Sequence, residues 1–211
     1  MPRKPNTAER RSQIVAALLA EIAVQGYARA SVQAIARRAG LAPGLVHYHF
    51  RDKEEILLEL IASLARVARA REAALAAAAT TPQERLQAWL DARLASGPGA
   101  APDAVAAWVM IGAEAVRQPE VGRAYRAVLN EELAALTGCL QACLAARAKA
   151  TAQAPRLAAG LLAFMEGAFQ LSSAARELVP EGFAAGMAMQ FALRCIDAEP
   201  PAGRPAREDA V

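Results

Sequence analysis

Gly40 and Pro43, three residues apart in ARRAGLAPGLVHYHF, limit the fold more than any other feature of this chain. A glycine closes one helix and a proline opens the next, so neither VQAIARRA nor the pattern after Pro43 extends beyond about two turns. Ser31 is a good N-cap for the first short helix, whose Val32, Ile35 and Ala36 share a face. The second covers about 43 to 48. Ahead of the pair, a longer helix is expected from Thr7 as its cap to Gly26, with Ile14, Leu18 and Ile22 on one stripe. These segments make a compact tri-helical unit of the helix-turn-helix kind, in which the second helix of the pair enters a DNA major groove by its N-terminal end.

The rest of the chain reads as helix throughout. A fourth helix begins near Asp52 and carries Ile56, Leu57, Leu60, Ile61 and Leu64 on one stripe. Asp52, Glu54 and Glu55 complement its dipole, with Lys53 as the exception. Further helices are expected from 82 to about 94, from Asp103 as cap to Arg117, from about 120 to 149, from Pro155 to about Arg176, and from 181 to 196. Pro119 is expected to break the helix before it, SGPGAAP at 96 to 102 is the clearest loop, and MPRKPN is a basic arm. The expectation is an all-α chain of about nine helices without strands. It divides into a DNA-binding domain at 1–53, a helical effector-binding and dimerisation domain at 54–198, and a disordered tail at 199–211.

Charge supports a polyanion at one end. Residues 1–53 hold nine basic residues against three acidic ones, so a head of +6 sits on a body of −3 within a chain of net charge +3. No signal peptide is evident, and the most apolar run, 157 to 175, contains Glu166 and Gln170, which suit a core or interface helix better than a bilayer span. Cys139, Cys143 and Cys195 fit a reducing compartment with no disulfide framework, as buried apolar filler. A cytoplasmic location follows.

The stretch LAPGLVHYHF supplies the reading head. Pro43 preorganises its first turn, and Gly44 allows close approach to bases or to the sugar-phosphate wall. His47 and Tyr48 project from the exposed side, whereas Val46 and Phe50 face inward against Ile35 and the first helix. His49 either contacts a phosphate or caps the helix end. Ser31 and Gln33 at the start of the preceding helix, and Lys53 from the far side, are the expected phosphate contacts. Pro43, Leu45, His47 and Tyr48 are the base-reading candidates. A metal site is disfavoured, because His47 and His49 point to different sides of a helix and no third ligand stands near. No metal or cofactor is expected. Glu114, Glu166 and the cysteines are too scattered to form a catalytic cluster, which sets aside an all-helical enzyme. A helical membrane-surface or protein-interaction module remains the other class weighed against DNA binding.

SVQAIARRAGLAPGLVHYHFRDKEEIL, residues 31 to 57, resembles the N-terminal signature of the TetR family of bacterial transcriptional regulators. Residues 107 to 133 resemble the C-terminal domain of the branch that includes the betaine-type regulators. Two departures stand out. Ala42 occupies the place of the family's capping serine, a loss of about 1 kcal/mol, and His47 occupies the usual tyrosine position with Tyr48 beside it. The resemblance implies a ligand-released repressor, bound to a palindromic operator as a homodimer through the apolar helices at 155–176 and 181–196. It also implies an effector cavity in the middle helices. Trp89, Trp108, Met110, Phe164, Met165 and Phe169 are candidates for its wall, and Glu114 and Glu166 for its polar hooks.

Overall fold

A computed structural model of the chain describes residues 7–94 and 102–203. Nine α-helices lie among the described residues: α1 Thr7–Gln25, α2 Val32–Arg38, α3 Pro43–His49, α4 Lys53–Ala76, α5 Pro82–Leu94, α6 Pro102–Arg117, α7 Pro119–Ala146, α8 Ala154–Ala174 and α9 Phe183–Ala198. A short 3-10 turn, Arg176–Leu178, follows α8. No strand occurs among the described residues; the single β-bridge joins Lys149 and Pro201. The basic arm at 1–6, most of the expected loop at 96–102 and the tail from 204 lie outside the described residues.

The described residues form two compact units, one from 7–67 with 102–128 and the other from 68–94 with 129–203. Helices α4 and α7 each contribute residues to both units. In the first unit α1 packs against α2, α3 and α6. Its Ile14, Leu18 and Ile22, one turn apart, are fully buried with Ile35, Val46, Phe50, Ile56, Leu57 and Leu60. Ala107 and Ile111 of α6 and Val121 of α7 complete that core. In the second unit α5 packs against α8 and α9, burying Leu86, Trp89 and Leu90 among Leu136, Leu140, Leu144, Met165, Met189 and Ile196.

Several boundaries differ from expectation for local reasons. Pro102, not Asp103, opens α6, as suits a residue with no N–H to satisfy. Pro119 opens α7 with only Gln118 between it and the end of α6, and Gly122 then passes so close that a Cβ there would stand 2.7 Å from the Ala115 carbonyl. Helix α7 stops at Ala146, where Ala148 adopts φ +51° and Lys149 N–H reaches back to the Leu144 carbonyl at 2.9 Å, a Schellman ending. The tail expected to be disordered from Glu199 begins with a tethered segment: Lys149 Nζ donates to the Asp197 and Glu199 carbonyls, and Ala150 N–H donates to that of Pro200. Of the cysteines expected as buried filler, Cys143 is buried and Cys139 half-buried, but Cys195 is exposed. Burial pushes the Cys139 and Cys143 thiols above their ordinary pKa, which keeps them protonated and poorly nucleophilic.

Candidate nucleic-acid interface

Helix α2 ends in the same motif as α7, with a glycine in the key place. Gly40, at φ +65°, donates to the Arg37 carbonyl, and Leu41 N–H donates to that of Ala36 at 2.9 Å. The chain then runs extended through Ala42 into Pro43, the first residue of α3. Ala42 offers no side-chain cap, so proline and backbone geometry alone set the start. At the other end of α2, the Ser31 Oγ accepts from Ala34 N–H at 3.1 Å.

Two residues anchor α3: Val46 is 1% exposed and Phe50, its C-cap, 2%. Pro43, Gly44, Leu45, His47 and Tyr48 all stand on the exposed side, Tyr48 at 78%. An aromatic that open normally forfeits burial for nothing, so its exposure is an observation that a partner would explain. The Tyr48 and His49 rings meet edge to face, with centroids 5.1 Å apart. His49 is half-buried, and Gln33, Arg37 and Arg38 extend from the exposed side of α2. A Cβ added at Gly44 would meet nothing within 4 Å, so its lack of a side chain leaves open space on this face.

Lys53 has an internal partner that sequence spacing did not suggest. Its Nζ donates to the Tyr27 carbonyl at 2.9 Å and lies 4.1 Å over the Tyr27 ring. Burial draws the ammonium below the ordinary lysine pKa, with the Glu114 charge opposing the shift. The Tyr27 phenol is pushed up to about 12 by its burial and by the carboxylates of Glu54, Glu114 and Asp52. An ammonium has three N–H groups and the carbonyl takes one, so this geometry leaves Lys53 capable of a further contact. Its place against the helix dipole is explained by Tyr27 without recourse to a phosphate.

The candidate ligand residues fall in two groups. Trp108, Met110 and Glu114 of α6 belong to the first unit. There the Trp108 ring lies 4.7 Å from Tyr125, and Glu114 accepts from Gln118 Nε2 at 2.6 Å. Trp89, Phe164, Met165, Glu166 and Phe169 belong to the second unit. Trp89 is fully buried under the Arg93 guanidinium, 4.0 Å from the ring centroid, and its Nε1 finds no partner among the described residues. Arg93 also binds Glu72 and Glu132. Met165 is buried, and Phe164 meets the ring of Phe191 edge to face at 5.1 Å. Among the described residues, no group of three His, Cys, Asp or Glu side chains could hold a metal ion.

Sequence reasoning missed the polar side chains of α1 that face the short pair. Arg11 and Gln13 interrupt no apolar stripe, and none of the three, Glu21 included, matches a motif, so only the packing identifies their partners. A buried Glu21, held below the usual carboxylate range by its hydrogen bond with Arg38, is the one feature an amphipathic pattern would have flagged.

The family of bacterial regulatory proteins named after TetR matches residues 14–60, and the C-terminal region of BetI-type transcriptional repressors matches residues 82–198. The HTH-type transcriptional regulator BetI of Rhizobium meliloti is 38% identical over 125 residues, 58% of this chain and 60% of that protein. Its counterpart from Agrobacterium fabrum is 36% identical over 114 residues, covering 54% and 55%. The matched stretch thus spans less than two thirds of these relatives. The Saccharomonospora viridis protein solved in complex with choline shares the fold with a TM-score of 0.74 at 23% identity, over 90% of this chain and 97% of that one. A TetR transcription regulator from Haloarcula marismortui gives 0.75 at 20%, over 91% and 98%.

Proposed function

This chain belongs to the TetR family of bacterial regulatory proteins and carries a C-terminal part of the BetI repressor type, and from that premise we propose that it is a sequence-specific DNA-binding regulator of transcription, a repressor released by a small molecule in the bacterial cytoplasm. The observation that carries this reading is the outward face of α3. A two-turn helix anchored by Val46 and Phe50 presents Pro43, Leu45, His47 and Tyr48 together, from the segment with the +6 charge excess. Ser31, Gln33 and Lys53 flank it as phosphate contacts.

One such head makes few contacts, and a twofold homodimer through α8 and α9 supplies the second for a palindromic operator. On this reading, ligand binding in the middle helices, 82–149, shifts α4, and the heads leave the spacing of roughly 34–36 Å that DNA accepts. Choline, held by a protein of the same fold, is a reasonable first compound to screen by thermal shift.

The test is selection of duplexes from a randomised pool, followed by binding measurements at several salt concentrations. The expected result is an inverted repeat whose affinity falls as salt rises, and His47→Ala alters the preferred bases. Equal binding to any polyanion would favour the surface-module alternative instead.

A further inference from the structure

Helix α1 holds both short helices by their C-terminal ends. Arg11 Nη1 donates at 2.5 Å to the carbonyl of His49, the last residue of α3. Gln13 Nε2 donates at 2.6 Å to the carbonyl of Ala39, the C-cap of α2. Both oxygens belong to the set that a helix end leaves without an intrahelical partner. The Arg11 guanidinium also lies 4.0 Å over the Phe50 ring, and faces Glu55 at 3.6 Å and Glu59 at 3.5 Å on α4. A single side chain therefore touches the end of α3, the aromatic that anchors it, and the first two turns of the next helix.

We propose that Arg11 and Gln13 are positioning residues that set the angle at which α3 is presented, and so govern sequence discrimination without touching a base. This rests on the DNA-reading function proposed above. Helix α3 spans seven residues and buries only Val46 within them, which leaves its tilt weakly determined by apolar packing. At 1.5 Å per residue, a tilt of about 10° moves the N-terminal tip by roughly 2 Å. That displacement removes a base-edge hydrogen bond, whose useful range is a few tenths of an ångström, whereas long flexible side chains can still follow a phosphate.

Loss of the guanidinium leaves no carboxylate stranded. Glu55 keeps the Arg51 backbone N–H at 2.9 Å and its Nε at 3.2 Å, and Glu59 keeps Arg66 at 3.0 Å. Arg11→Met also retains an apolar stem beside Phe50 while deleting the donor.

The experiment uses the full chain, a duplex selected by the wild type and a scrambled duplex of equal length. Arg11→Met is expected to lose about tenfold or more on the selected duplex and under about threefold on the scrambled one, with the salt slope unchanged. Arg11→Lys, which restores a charged donor, recovers part of that loss. Gln13→Met shows the same selective loss, and decides the matter alone if circular dichroism shows Arg11→Met unfolded. Binding of the selected duplex within about twofold of wild type by the folded variant overturns the proposal. Equal loss on both duplexes with a slope smaller by about one also overturns it, since Arg11 is then a phosphate contact. A wild-type chain that selects no sequence overturns the functional reading itself, and the positioning role with it.

Discussion

Glu84 shows how much one exposed side chain can organise. It sits in the first turn of α5 and accepts from the backbone N–H of Thr80 at 2.7 Å and of Thr81 at 3.0 Å, while Thr81 Oγ1 accepts from Glu84 N–H at 3.2 Å. This reciprocal arrangement is a capping box. Those N–H groups favour the charged carboxylate and hold its pKa at about 2, against an ordinary value of 4.5. A carboxyl whose folded pKa is depressed stabilises the fold fully above its unfolded value, and the contribution is lost as pH falls through the folded one. The start of α5 should therefore fray progressively between about pH 4.5 and pH 2. Glu84→Gln should bring that fraying to neutral pH, seen as faster amide exchange at Thr80 and Thr81. Unchanged exchange in the variant would remove the carboxylate from this role. The same accounting applies to Lys53, whose unfavourable place at the start of α4 is balanced by the Tyr27 carbonyl and ring.

At the scale of elements, two helices end identically with different residues. Gly40 closes α2 at φ +65°, where glycine meets no steric penalty, and Ala148 closes α7 at φ +51°, where an L-residue does. Exchanging them gives opposite expectations. Ala148→Gly should raise stability by up to about 1 kcal/mol, and Gly40→Ala should lower it by about 1 kcal/mol, both read from urea midpoints. The reverse signs, Ala148→Gly losing and Gly40→Ala gaining stability, would mean that backbone entropy of the unfolded chain, not the left-handed conformation, dominates at these ends. Patterning made most helix positions legible because caps, prolines and apolar stripes are local. Pro119 follows the end of α6 at Arg117, as expected of a helix breaker, and also serves as the first residue of α7.

At the scale of the whole molecule, α8 is the element without an evident cover. It is long and apolar, yet most of it is not buried within the single chain. Gly160 and Gly167 are exposed, with open space where a Cβ would stand, and Phe191 of α9 is 40% exposed. The homodimer proposed above would cover this surface and account for all three. Gly167→Glu has room in one chain but places a charge in such a contact, so it should convert a species of twice the 22.2 kDa chain mass into monomer. Sedimentation measures this directly, and an undisturbed dimer would move the contact elsewhere.

What the amino-acid order settled by itself was local: the all-helical class, the two-turn pair around Gly40 and Pro43, and which side of α3 carries Val46 and Phe50. Periodicity, capping and backbone stereochemistry act over a few residues, so they can be read without coordinates. Only the tertiary structure decided which side chains meet across 26 and 38 residues of chain, joining Gln13 to Ala39 and Arg11 to His49. It alone placed Trp108 and Trp89 in different compact units. Those outcomes depend on how helices pack, and a polar residue on one helix carries no local mark of the carbonyl it will reach on another.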